Sequence, residues 1–246
     1  MAKDRALLPF GVIGGMGPAS TIRFLDLVMG KYRDELGARN NRDFPQVTIL
    51  TIPNSDHLGP IPDKTIRREL AQAVRVLESM GVAFIVAPCN TVHRFFPVRG
   101  QSVEVLDIAR ALVRECTKEL SSGRILFLST RQTRESSTYR FMFREARRRL
   151  VFLADDDQLL LDDIIALANP GGDLAEERKA LEGIVRRYRA EAIVLACTEL
   201  SLLRPLKVSC RVADSLEALA LATFRVSSQR YLLAYYRRRK GDDSLL

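Results

Sequence analysis

Short unbroken apolar runs alternate along this chain with longer stretches in which apolar residues recur every three or four positions. Residues 10–13, 44–52, 83–87, 103–106 and 192–196 are runs of the first kind, rich in branched and aromatic side chains. Such runs suit strands buried on both faces. The second kind includes Ile22, Leu25, Val28, Met29 and Tyr32; Ile66, Leu70, Val74, Leu77 and Met80; and Ile108, Leu112, Val113 and Cys116. Each predicts a helix with one buried face. Alternation of the two predicts an α/β fold of mainly parallel sheets flanked by helices.

The polar positions gather where the apolar runs stop. Pro88 has no N–H for a ladder, so the run 83–87 must end there, leaving Cys89 at the carboxyl end of a buried strand. Open parallel sheets place their ligands at that end. The run 192–196 repeats the arrangement and delivers Cys197, Thr198 and Glu199. The first run opens into Gly14, Gly15, Met16, Gly17 and Pro18, a tight turn feeding a helix whose free N–H groups favour an anion near Gly17. The spacing is not that of a dinucleotide-binding turn. Residues 53–62 are dense in turn formers at another strand end, a place suited to binding.

The pattern restarts at residue 123. Thr21 and Thr133, Cys89 and Cys197, and Asp107 and Asp214 are each separated by about 110 residues. Asp107 and Asp214 each close a short strand and open a helix. These landmarks predict a duplication: two pseudo-symmetric lobes, residues 1–107 plus 214–246 and residues 108–213, whose strand ends face a shared inter-lobe cleft. The helix after Asp214, with Leu216, Leu219, Ala220 and Phe224, is expected to return the chain to the first lobe.

Composition narrows the function. The 246 residues are 47% hydrophobic and 28% charged, as in a globular protein. No apolar stretch is long enough for a bilayer and the first residues lack a secretory signal, so a cytoplasmic location and no membrane partner are expected. The four cysteines include no C-x-x-C pair; free thiols are expected and a metal is not. Cys116 and Cys210 have no polar company and read as packing residues. The formal charge of +8 is spread over clusters such as Arg144, Arg147, Arg148 and Arg149, or Arg186, Arg187 and Arg189, which read as solvated helix faces. No nucleic-acid partner is expected, although the positive field suits an anionic small substrate.

The quoted turn at 14–18 with Thr21, the stretch Pro88, Cys89, Asn90, Thr91 and His93, and the stretch Cys197, Thr198, Glu199 and Leu200 together resemble the aspartate/glutamate racemases of the Asp/Glu/hydantoin racemase superfamily. Residues 61–65, and Thr130 and Thr133 with Tyr139, resemble further motifs of that family, and the resemblance runs from about residue 10 to about residue 224. It implies a cofactor-independent amino-acid racemase, acting on aspartate or glutamate, with Cys89 and Cys197 as a thiolate and thiol on opposite sides of the substrate. Asn90, Thr91 and Thr198 then bind the substrate carboxylate. Glu199 holds the ammonium or tunes Cys197, and Met16, Asn54, Thr130 and Thr133 complete the substrate cleft. Lys64 stands where many members carry an arginine that grips the side-chain carboxylate, and residues 166–173 lack the second basic residue often found there. His93 is expected to orient a neighbour and His57 to be an exposed loop residue. A homodimer is also implied. Other activities of the superfamily (hydantoin racemase, decarboxylase, maleate isomerase) and a non-catalytic anion-binding module are the alternatives.

Overall fold

Two parallel sheets of identical strand order form the framework of the computed structural model, which describes residues 7–52, 63–96, 102–120 and 123–239, with side chains of the last helix as far as Ser228. In the first sheet, β1 (Phe10–Gly14) lies between β2 (Val47–Thr51) and β3 (Phe84–Val86), and β4 (Glu104–Leu106) pairs with β3. In the second, β5 (Arg124–Leu128) lies between β6 (Arg149–Val151) and β7 (Ala192–Leu195), with β8 (Arg211–Asp214) on β7. Every pairing is parallel. The landmarks spaced by about 110 residues thus fall at matching places in two copies of one topology.

Helices cover both faces of each sheet, which is why the strands read as continuous apolar runs. On one face of the first sheet lie α1 (Pro18–Leu36) and α8 (Ser215–Arg239); Phe24 and Val28 meet Leu216, Leu219 and Phe224 over Phe10 and Phe84. On the other lies α2 (Asp63–Ser79), through Ile66, Leu70, Val74 and Leu77. The second sheet is covered by α3 (Ile108–Glu119) and α5 (Ser137–Glu145) on one side. On its other side are α6 (Asp155–Ala168) and α7 (Ala175–Tyr188). The short α4 (Arg131–Glu135) opens directly after β5. Cys116 is fully buried in the α3 core, and Cys210 packs half-buried beside the α6–α7 core.

The structure corrects several details. The second strand begins at Val47 rather than 44, because a 3-10 turn at Asn41–Asp43 and Pro45 occupy the approach. The buried face of α1 is Thr21, Phe24, Val28 and Tyr32, while Ile22 is 70% exposed. Met80 lies past the end of α2 and is exposed. Arg144, Arg147, Arg148 and Arg149 do not share a helix face. Instead α5 stops at Glu145, Arg147 turns the chain with φ 55, and Arg149 opens β6. A strand of three residues beginning with a charge has too little apolar pattern to stand out from a basic helix end.

Candidate active site

Both cysteines sit where a strand of the middle of a sheet runs out. After β3, Cys89 N–H donates to Ala87 O at 2.8 Å and the chain enters a 3-10 turn, Thr91–Phe95. After β7, Ala196 N–H still donates to Leu128 O at 2.8 Å, and Cys197 precedes a second 3-10 turn, Thr198–Leu203. The two residues are 2% and 4% exposed.

Glu199 ties the second turn to the opposite sheet. Its Oε2 accepts from the Cys197 thiol at 2.9 Å and from Thr198 Oγ1 at 3.3 Å. Its Oε1 accepts from Gly17 N–H at 3.2 Å and Ser20 Oγ at 3.4 Å, at the start of α1. The anion expected near Gly17 is therefore a carboxylate of this chain, held by unpaired helix N–H groups and the helix dipole. Approach is close: a Cβ on Gly17 would lie 1.9 Å from Asn169 Oδ1 and 3.0 Å from Glu199 Oε1. Only glycine fits there without displacing both.

The first turn crosses in the other direction. Thr91 Oγ1 lies 3.2 Å from Thr130 Oγ1 and 3.0 Å from Thr133 Oγ1, at the start of α4, and Thr130 Oγ1 bonds Thr133 Oγ1 at 3.1 Å. Thr130 also caps α4 by accepting from Thr133 N–H at 3.2 Å. Asn90 is fixed at both ends of its amide. Tyr139 Oη donates to its Oδ1, and its Nδ2 donates to Ser215 Oγ at 2.9 Å, on the first residue of α8. His93 Nε2 lies 3.0 Å from Ala87 O, bracing the turn that carries Cys89. A cavity of about 80 Å³ adjoins these groups, lined among others by Asn90, Thr91, His93, Asp107, Thr133 and Tyr139.

Burial dominates the electrostatics. The Cys89 thiol is pushed up to about 12, first by desolvation and then by the Glu199 charge; the backbone N–H groups of Val92 and Thr91 oppose this. Cys197 is raised well above its ordinary value, again chiefly by burial, with the Glu199 charge and the bond to Glu199 next and Cys89 adding to it. One carboxylate thus acts on both thiols, and burial favours the protonated form of each. Burial lowers the His93 pKa, so its ring is neutral.

The structure therefore brings Cys89, Asn90, Thr91, Thr130, Thr133, Cys197, Thr198 and Glu199 to buried strand ends, with Met16 buried in the turn before α1. Lys64 is exposed on the first turn of α2, and Asn54 and His57 lie outside the described residues. Ser20, Asn169 and Ser215 join the site without having been marked by the sequence. Their residue types are common in turns and caps, and only tertiary placement distinguishes them. Among the described residues no cluster of His, Cys, Asp or Glu is arranged to hold a metal, and no helix is long and apolar enough to cross a membrane.

Comparison with known proteins adds the chemistry of relatives. The profile described as Asp/Glu/Hydantoin racemase matches residues 13–223. The broad specificity amino-acid racemase RacX of Bacillus subtilis (strain 168) is 26% identical over 219 residues, covering 87% of this chain and 95% of that protein. Aspartate racemase from Picrophilus torridus superposes with a TM-score of 0.77 at 23% identity, covering 92% of this chain and 98% of that one. Glutamate racemase from Aquifex pyrophilus superposes with a TM-score of 0.61 at 20% identity, covering 87% and 82%.

Proposed function

The chain belongs to the Asp/Glu/hydantoin racemase family, and from that premise we propose that it interconverts the enantiomers of an amino acid without a cofactor, using Cys89 and Cys197. The observation that most supports this is the Glu199 carboxylate, which accepts the Cys197 thiol proton at 2.9 Å while acting electrostatically on Cys89. Two thiols under one carboxylate belong to one site, and each comes from a different sheet.

In the proposed reaction one sulfur is a thiolate and the other a thiol. The thiolate takes the α-proton, and the C–H electron pair passes into the substrate carboxylate as an enolate-like charge. The opposite thiol then donates its proton to the other face of the carbon, and the roles of the sulfurs are exchanged. Glu199 is the group that relieves Cys197 of its proton. The substrate ammonium, entering beside the sulfurs, favours the thiolate that burial alone disfavours. Thr91, Thr198, Asn90 and the strand-end N–H groups stabilise the developing charge. Aspartate and glutamate, implied by the resemblance, are the first substrates to try. The lobe boundaries read from the sequence, a reducing compartment that keeps the thiols free, and a homodimer belong to the same reading.

The test is α-deuterium incorporation from D2O into a panel of L- and D-amino acids. Incorporation with racemisation is expected for at least one amino acid, and a loss of a thousandfold or more in both Cys89→Ser and Cys197→Ser. Racemisation that survives either substitution removes the two-thiol mechanism. No incorporation with any amino acid, alongside salt-sensitive binding of nucleic acid, favours the anion-binding module instead.

A further inference from the structure

We infer that Asp214 and Ser215, the consecutive residues at which the chain passes from β8 into α8, are positioning residues for the proposed reaction: each grips one cysteine-bearing turn, and together they set how far apart the two sulfurs stand. This rests on the racemase reading and deepens it. Ser215 Oγ accepts from Asn90 Nδ2 at 2.9 Å, and Asn90 adjoins Cys89. Asp214 Oδ1 accepts from Ser201 Oγ at 2.6 Å, and Ser201 lies in the turn that follows Cys197. All four of these side chains are buried.

The path from one thiol to the other is therefore short and stiff. It runs through the Cys89–Asn90 peptide, the bond to Ser215, the Asp214–Ser215 peptide and the bond to Ser201. It then follows the turn back to Cys197, which Leu200 N–H closes on Cys197 O at 3.2 Å. A trans peptide holds consecutive Cα atoms about 3.8 Å apart, so the two anchor points cannot separate. The anchors are fixed from both sides. β8 pairs with β7 in a register that sets Asp214 beside Leu195, two residues before Cys197. Ser215 opens α8, which packs on the first sheet through Leu216, Leu219 and Phe224. Asp214 also accepts from Leu216 and Glu217 N–H, at 2.8 and 3.3 Å.

The first crossing is built differently. Asp107 gives its carboxylate to Ala109 and Arg110 of its own helix, and the next residue, Ile108, has no hydroxyl. The second crossing thus joins both cysteine turns through one buried Asp-Ser dipeptide that lies outside both of them. Two thiols that take and return a proton at one carbon must keep their separation, since a misplacement of about 1 Å costs on the order of a hundredfold in rate. One mount for both turns meets that need. A shift of the crossing point carries both sulfurs together.

The experiment compares Ser215→Ala and Ser201→Ala with the parent, each as the full chain. Ser201→Ala replaces a change at Asp214 because it releases the turn and leaves the cap on α8 intact. First, native thiols are alkylated with iodoacetamide and followed residue by residue by mass spectrometry, with Cys116, buried in the α3 core, reporting unfolding. Ser215→Ala is expected to speed labelling of Cys89 about tenfold, and Ser201→Ala that of Cys197, with Cys116 unchanged. Second, α-deuterium exchange is measured on an amino acid that the parent turns over. Each variant is expected to lose about tenfold in kcat with KM little changed. The isotope effect on α-deuterated substrate should rise for one enantiomer in Ser215→Ala and for its mirror image in Ser201→Ala. Parent-like kcat in either variant overturns the inference while leaving racemisation standing, and so does labelling of Cys89, Cys197 and Cys116 that rises together. Absence of exchange by the parent with every amino acid removes the racemase reading, and this positioning role with it.

Discussion

The loop from Cys89 to His93 and the loop from Cys197 to Ser201 are the same device with different chemistry. In each, the residue two places after the cysteine reaches across to the helix that follows the first strand of the opposite sheet. Thr91 does so with a hydroxyl, to Thr130 and Thr133 at the start of α4. Glu199 does so with a carboxylate, to Gly17 and Ser20 at the start of α1. In each, the residue four places after the cysteine braces the loop: His93 against Ala87 O, Ser201 against Asp214 Oδ1 at 2.6 Å. The two halves share one scaffold, and their clasps are unequal. Only the carboxylate clasp bonds its own cysteine through its side chain, so the two thiols differ even though the backbone around them repeats.

The largest effect should come from neutralising that clasp. Glu199→Gln is expected to lower kcat/KM about a hundredfold, the range of a lost proton acceptor. Enantiomers have equal free energy, so the loss must be the same in both directions. The asymmetry appears elsewhere. The isotope effect on α-deuterated substrate should rise for the enantiomer that Cys197 deprotonates and change less for the other. Thiol alkylation should also move to lower pH, more for Cys197 than for Cys89, because Glu199 raises both and bonds only Cys197. Isotope effects that rise equally for both enantiomers would show the loops to be functionally alike.

A smaller effect probes the neutral side. Asn90 depends on Tyr139 and Ser215, whereas its counterpart Thr198 leans on Glu199 Oε2 at 3.3 Å. Tyr139→Phe keeps the ring packed on Phe127 and removes one buried bond. Loss of about 1 kcal/mol of positioning should lower kcat/KM by roughly fivefold to tenfold. The measurement is kcat/KM together with urea unfolding. A fall in stability with unchanged kcat/KM would assign Tyr139 to packing alone.

How much of this was visible in the chain follows from what each signal depends on. The strands carrying the cysteines were legible because central strands of a parallel sheet must be apolar throughout and must stop at a residue such as Pro88. The repeat was legible because cysteine and helix-capping aspartate recur at matched places. β6 was not, since Arg149, Leu150 and Val151 carry no period of their own. The contact between Gly17 and Glu199 joins residues 182 positions apart, and nothing local in either segment announces it. The role of Glu199 stood open between ammonium and thiol for the same reason: both assignments suit a carboxylate beside a cysteine, and only its 2.9 Å approach to Cys197 favours the second.

The smallest expected effect concerns the aspartates that open the two crossing helices. Asp107 caps α3 through Ala109 and Arg110 N–H with its side chain partly in solvent. Asp214 caps α8 through Leu216 N–H at 2.8 Å, accepts from Ser201, and is buried with Oδ2 lacking a hydrogen bond and 3.9 Å from Arg204 Nη1. Burial pushes its pKa up to about 6 despite the Ser201 bond. The unfolded chain releases this proton near pH 4. Between pH 4 and 6 the folded state therefore binds more protons than the unfolded one, and this group's contribution to stability falls as pH rises through that window. Asp214→Asn retains an oxygen for the cap and for Ser201 and removes the ionisation. It should be more stable than the parent by about 2 kcal/mol at pH 7.5, and show little gain at pH 4. Urea unfolding at the two pH values decides it. An equal difference at both would mean that Asp214 is held by its bonds as a charged cap, making the second crossing helix begin as the first does.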